Sequence, residues 1–144
     1  MAEVSAGPTL PTPFELPLAV ADGDIDELGH VNNVVYLRWV QDVAVAHWRA
    51  LTTAAQLAAV MWVVIRHEID YKRPAMRGDA LVARTWVGEA SGLTFQRHTE
   101  ILRAADRKLL ARARTLWCPI EPGSLKPMQV PDDVRALVSA PKGN

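Results

Sequence analysis

At Met61 the hydrophobic pattern of this chain changes period, and few architectures accommodate both halves. From about Asn33 to Leu51 apolar residues recur at helical spacing. Tyr36, Val40, Val43, Ala44, His47 and Leu51 form one stripe, and Val34, Leu37, Val45 and Trp48 carry apolar character most of the way round. Only Arg38, Gln41, Asp42 and Arg49 leave a narrow polar side. A helix this apolar has to be enclosed by other elements. Beyond Met61 the period is two. Val63, Ile65, His67, Ile69 and Tyr71 alternate with Val64, Arg66, Glu68, Asp70 and Lys72, the pattern of a strand with one core face.

Three more strands follow, separated by turn signals. Ala80 to Glu89 puts Leu81, Ala83, Thr85 and Val87 on one face; Ser91-Gly92 turns into Leu93 to Arg103, with Leu93, Phe95 and Ile101 on one side. Ala104 to Arg107 turns into Lys108 to Ile120, where Leu109, Ala111, Ala113, Thr115 and Trp117 share a face. A short strand over Phe14 to Ala21 precedes the helix, with Pro17 indicating that it begins late or lies at an edge. Thr52 to Ala59 reads as a further helical turn or two, and Pro131-Asp132-Asp133 as the start of a short helix through Val138. The expected fold is α+β: a curved antiparallel sheet of about five strands wrapped round one long central helix, its other face solvated or on a polar partner.

With 144 residues the chain suits one domain, expected over 14–138, with an arm over 1–13 that carries Pro8, Pro11 and Pro13 and a tail over 139–144, both flexible. Sixteen basic against sixteen acidic residues remove the electrostatic case for nucleic acid or an anionic membrane, and leave self-association open. No apolar run is long enough to span a bilayer. A single cysteine, Cys118, rules out an internal disulfide and fits a reducing, cytoplasmic setting.

The polar residues concentrate just before the long helix, in Asp24-Ile25-Asp26-Glu27-Leu28-Gly29-His30-Val31-Asn32-Asn33. Asn32 or Asn33 suits the N-cap, so first-turn amides face the same space as the loop. A carboxylate beside such amides has the elements of a base next to an electrophile-stabilising site. Asp26 has two readings, turn cap or catalytic carboxylate, and Asp24 is the better loop organiser. His30 suits a bond to Asp26, the orientation of water, a substrate contact or a purely local role. Gly29 fits a special backbone conformation or a close substrate approach. No His, Asp, Glu or Cys set has metal-ligand spacing, so no metal is expected. Gly-x-Ser-x-Gly is absent.

The run Asp24-x-Asp26-x-x-Gly29-His30-Val31-Asn32-Asn33-x-x-Tyr36 resembles the signature of the 4-hydroxybenzoyl-CoA-thioesterase-like branch of hot-dog acyl-CoA thioesterases. His67-x-x-x-Tyr71-x-Arg73-Pro74-x-x-x-Gly78-Asp79 resembles the strand and turn that follow the helix in that family. The resemblance implies a hot-dog fold acting as a homodimer or homotetramer on acyl-CoA or acyl-carrier-protein thioesters, with coenzyme A as part of the substrate and no other cofactor. It assigns catalysis to Asp26, the carbonyl-polarising amide to about Asn33 and a functional position to His30. Gly29, Tyr36, Arg73 and Arg77 are the candidate substrate contacts, although Tyr36 also suits the core. Leu28 stands where plant relatives carry asparagine, and Gln41 where many relatives carry glutamate, so neither of those site variants is reproduced. Asp42 is the remaining helix carboxylate, suited to a solvated or interface position. Arg97, Arg112 and Arg114 are further candidates for CoA phosphates, and Trp39, Trp62 and Trp86 suit packing or an acyl pocket. A non-catalytic acyl-CoA binding protein and a hot-dog enoyl-CoA hydratase are the alternative functions on the same fold.

Overall fold

The computed structural model describes residues 13–140. The expectations for the arm at 1–12 and the tail at 141–144 fall outside them. In chain order the elements are β1 (Phe14–Ala19), α1 (Asn33–Leu51), α2 (Ala54–Ala59), β2 (Met61–Tyr71), β3 (Ala80–Ser91), β4 (Thr94–Arg103), β5 (Leu109–Ile120) and α3 (Asp132–Val138). The five strands form one antiparallel sheet in the order β1-β3-β4-β5-β2, with α1 packed on its inner face, as the change of period requires. Strands β1 and β2 are its edges.

The pairing register lines up side chains in rows across the inner face. Ala83, Ile101 and Ala111 make one row, Thr85, Thr99 and Ala113 the next, Val87, Arg97 and Thr115 a third. His67 extends the third row onto β2, where its Nδ1 lies 3.0 Å from Thr115 Oγ1. In β2 the expected inner face holds only beyond a bulge. The register shifts between Val64 and Arg66, so the extra residue, Ile65, breaks the alternation. Trp62 and Val64 lie inward before the bulge, His67 and Ile69 after it. Val63 points outward with Met61, and Ile65 is 56% exposed.

Helix α1 begins where Asn32 Oδ1 accepts the Val34 amide and ends at Thr52, whose hydroxyl donates back to the Trp48 carbonyl. Thr53 and Gln56 then cap α2 reciprocally. Along α1 the buried residues are Val35, Tyr36, Trp39, Val40, Val43, Ala44, His47 and Trp48. They contribute to two clusters. Near the helix start, Val31, Val35, Tyr36, Trp39 and Val43 pack with Leu81, Ala83, Ile101 and Leu110. Near its end, Trp48 packs with Val60, Phe95, Val130, Val134 and Val138. Between them runs a buried polar belt of His47, Thr85, Arg97, Thr99 and Thr115.

Arg97 is 6% exposed and therefore no surface ligand for CoA phosphates. Its Nη1 donates to Thr85 Oγ1 (3.2 Å) and lies 2.8 Å from His47 Nδ1. Arg112 and Arg114 are also engaged. On the outer face they join a cross-strand ladder in which Arg84 and Arg112 flank Glu100 and Arg114 pairs with Glu68. Trp86 stacks on His98 in the same layer. That face is polar, as its charge pattern requires. The segment around α3 is tied in: the Ala140 amide donates to the Gly88 carbonyl, and Gln56 Nε2 to Asp133 Oδ2, joining α2 to α3.

Burial, then Arg97, holds the His47 imidazole down to about 4 from 6.5. Between those values the unfolded chain binds a proton that the folded chain excludes, so stability rises with pH across the window and is lost as pH falls from about 6.5 toward 4. His67 and His98, also lowered by burial, act with the same sign. We therefore expect His47→Gln, which keeps an acceptor for Arg97, to lose acid sensitivity relative to wild type. The difference should be no more than about 3 kcal/mol, read by urea unfolding at pH 4.5 and 7. Equal differences between the two pH values in both proteins would exclude His47 as the titrating group.

Candidate active site

The loop before α1 is built on two carboxylates with different jobs. Asp24 ends a 3-10 turn, Asp22–Asp24, and is 5% exposed. Its Oδ2 accepts the Ala21 amide at 2.9 Å, its main-chain carbonyl accepts the Asn32 amide at 2.8 Å, and Arg38 Nη2 reaches both carboxylate oxygens at 3.2 and 3.3 Å. Asp24 thereby clamps the start of the loop to its end and to the first turns of α1. The expectation that it organises the loop holds; its tie to Arg38, fourteen residues on, left no mark in the sequence.

Asp26 opens a tight turn. The bridge between Ile25 and Val31 closes it, the Asp26 amide donates to the His30 carbonyl at 2.7 Å, and the Gly29 amide donates to the Asp26 carbonyl at 3.0 Å. Asp26 Oδ1 accepts the amides of Leu28 (2.9 Å) and His30 (3.2 Å). Its Oδ2 makes no hydrogen bond among the described residues and is not an enclosed atom. One oxygen is thus fixed by two N–H donors while the other stays open at a half-buried position. Gly29 has φ +80°, a conformation that other residues adopt only with strain. The His30 ring is half-buried and makes no hydrogen bond among the described residues.

At the helix start, Asn32 takes the amides of Val34 and Val35 with its side chain and carbonyl. Asn32 is the cap, and Asn33 is the first helical residue, exposed, its N–H without a partner among the described residues. Its carbonyl accepts Tyr71 Oη at 3.0 Å. Asp26, Gly29 and His30 therefore share one turn, and Asn33 stands at the end of the segment that leaves it. No hydrogen bond joins Asp26 to Asn33.

Both segments singled out in the sequence meet here. The Val31 amide donates to the Ala75 carbonyl, and His30 bridges to Met76, so the turn after β2 backs the loop. That turn is held by Asp79, which accepts the Met76 amide, and by Gly78 at φ +85°. Tyr36 holds it from below. The Ala75 amide donates to its hydroxyl at 2.9 Å, its ring meets Trp39 and Tyr71 edge-on, and only 2% of it is exposed. Burial keeps the phenol above its ordinary pKa and neutral. Tyr36 is thus a core residue, which overturns its place among the substrate contacts. Arg77 pairs with Asp22 and Arg73 donates to the Leu109 carbonyl; both are exposed. Among the described residues no group of three or more His, Cys, Asp or Glu is placed to hold a metal ion, and no helix is long and apolar enough to cross a membrane.

A small, partly open cavity lies at the opposite end of α1, lined by Trp48, Trp62, Val87, Phe95, Arg97 and Trp117 among others. Trp62 faces it, whereas Trp39 is core and Trp86 lies on the outer face.

Residues 20–138 match the thioesterase-like superfamily. A curated relative, the acyl-[acyl-carrier-protein] hydrolase FATB3, chloroplastic, of Cuphea viscosissima, is 28% identical over 76 residues, which are 53% of this chain and 18% of that protein. The chain thus spans a minor part of that relative. Among solved structures, Slr0204, a 1,4-dihydroxy-2-naphthoyl-CoA thioesterase from Synechocystis, superposes with a TM-score of 0.76 at 22% identity, covering 88% of this chain and 96% of its own. A thioesterase from Thermus thermophilus, complexed with coenzyme A and Zn, gives 0.74 at 20% identity over 86% and 90%. These structural likenesses establish the hot-dog fold.

Asp24→Ala removes the acceptor of a backbone amide and leaves the Arg38 pair broken. It should destabilise the chain by about 1–3 kcal/mol. Arg38→Ala should cost less than about 1 kcal/mol, because that guanidinium is 53% exposed and water screens it. Chemical denaturation of both variants checks the order; a costlier Arg38→Ala would show that the ion pair, and not the amide contact, holds the loop.

Proposed function

The chain belongs to the thioesterase-like superfamily, and from that footing we propose that it hydrolyses acyl thioesters, with Asp26 as general base or nucleophile and the first amides of α1 as the oxyanion site. The observation that carries this is the division of the Asp26 carboxylate: Oδ1 is fixed by the Leu28 and His30 amides, and Oδ2 is open. A carboxylate oriented through one oxygen is preorganised to use the other, either to take a proton from water or to attack the carbonyl. The Asn33 N–H supplies a helix-start donor for the developing oxyanion. A thiol of ordinary pKa, about 8.5, leaves without a strong general acid, so the turn that carries Asp26 and His30 need not supply one. Arg73 and Arg77 put two exposed guanidiniums on the turn that backs the loop, as contacts for the phosphates of the thiol carrier.

Self-association completes this reading. Strand β2 is an open edge carrying Met61, Val63, Ile65 and Tyr71 as exposed apolar side chains, and Leu28 and Val34 beside the loop are exposed as well. Such an edge invites a second strand. A second copy added there would cover those side chains and wall in the Asp26–Asn33 end of the helix.

Asp26→Asn is the decisive variant, because the amide oxygen can still accept the Leu28 and His30 amides. Thiol release from a panel of acyl-CoA and acyl-carrier-protein thioesters should fall by about 10²–10⁴-fold with the melting temperature unchanged. Turnover equal to wild type would remove Asp26 from the reaction; saturable binding by wild type without thiol release would make the protein a binder. Light scattering should give a multiple of the 15.9 kDa chain mass, and Val63→Lys with Ile65→Lys should shift it toward one chain. A monomeric wild type would refute the edge pairing.

A further inference from the structure

The cavity at the far end of α1 has a chemistry that the loop site does not use. Its walls are aromatic: Trp48 and Trp62 meet edge-on at 5.7 Å, and Trp62 and Phe95 at 5.2 Å, with Trp117 across the strand pair from Phe95. Its polar lining is Gln96 and Arg97, the latter a guanidinium with no carboxylate within ion-pair distance among the described residues. Its Nη1 is taken up by Thr85 and His47, both neutral, since the imidazole is held down to about 4. Nε and Nη2 make no hydrogen bond among the described residues. They are not among the enclosed unpartnered atoms, which are Trp62 Nε1, Arg84 Nε and Trp117 Nε1, and Arg97 lines the cavity. Two of those three enclosed atoms belong to the cavity's own tryptophans.

A buried cation without an anion costs several kcal/mol, and buried donors without acceptors add to it. We infer that this cavity is a binding site for an apolar carboxylate, its hydrocarbon or aryl body among Trp48, Trp62, Phe95 and Trp117 and its carboxylate on the open side of Arg97. The carboxylate offers acceptors in the planar geometry that a guanidinium pairs with best. The site lies about 22 Å along the helix from Asn33, fifteen residues at 1.5 Å each. It therefore stands independently of the loop and of the hydrolysis proposed there. At that distance a short acyl group held at the loop does not reach it, so the carboxylate is that of a free acid.

Calorimetry on the full chain at pH 7 tests the site with hexanoate and benzoate against hexanamide and benzamide, equal in size but uncharged. The acids should bind at least tenfold more tightly than the amides, and Arg97→Lys, which keeps the charge but loses the fork, should weaken the acids selectively. Equal affinity of acid and amide, or no binding of either acid, would overturn the inference even if Arg97→Lys failed to fold.

Discussion

The structure depends on enclosing a helix that is apolar on most of its circumference. Burying side chains the size of Tyr36, Trp39, Val40, Val43 and Trp48 is worth roughly 1.5–3 kcal/mol apiece, far beyond what a nineteen-residue helix gains from its own propensities. An antiparallel sheet supplies the necessary surface in few residues, because alternate positions on β3, β4 and β5 all face α1. Everything else is attached to this contact. The loop that precedes the helix must deliver the chain to its start, and the turn after β2 must pass beneath it. Both consequently end up at the helix N-terminus.

That convergence explains why two acids two residues apart do different things. Asp24 faces inward and is consumed by structure: the Ala21 amide and Arg38 take its oxygens. Asp26 lies beyond the bend, where the Ile25–Val31 bridge turns the chain outward, and has one oxygen to spare. A loop with a single acid would have to choose between holding itself together and keeping a carboxylate open. The same partition recurs in the asparagines. Asn32 caps with its side chain, and this frees the next residue, Asn33, to present its backbone N–H.

Much of this was legible in the residues. The change of period at Met61 indicated helix against sheet, and the crowding of polar groups around Gly29 marked the loop. Tyr36 was open to two readings because its spacing fits a core stripe and a motif position alike; the Ala75 amide on its hydroxyl decides for the core. Ile65 misled because a bulge is set by the pairing of two strands, and the alternation of one strand carries no sign of it. Arg97 misled for a related reason. It sits in phase with Phe95, Thr99 and Ile101, and strict alternation puts it inside, but a charged residue there reads first as a surface group. The phase was the better guide.

The Arg97 belt also bears on how the two ends of α1 relate. A continuous apolar core would let the helix slide or tilt against the sheet at little cost, since hydrophobic contacts have no direction. The Arg97–His47 contact is directional and is satisfied at one helix height only, while Thr85 on the neighbouring strand fixes the guanidinium from the sheet side. It pins α1 along its axis between the two apolar clusters. A displacement of the helix by one turn, about 5.4 Å, would move the Asn33 amide away from the Asp26 turn by the same distance. Keeping the proposed base and oxyanion donor in register requires placement within a fraction of an ångström. The buried arginine is therefore costly as a core residue and useful as an axial stop, and the open side of its guanidinium is what such a stop leaves over for an anion.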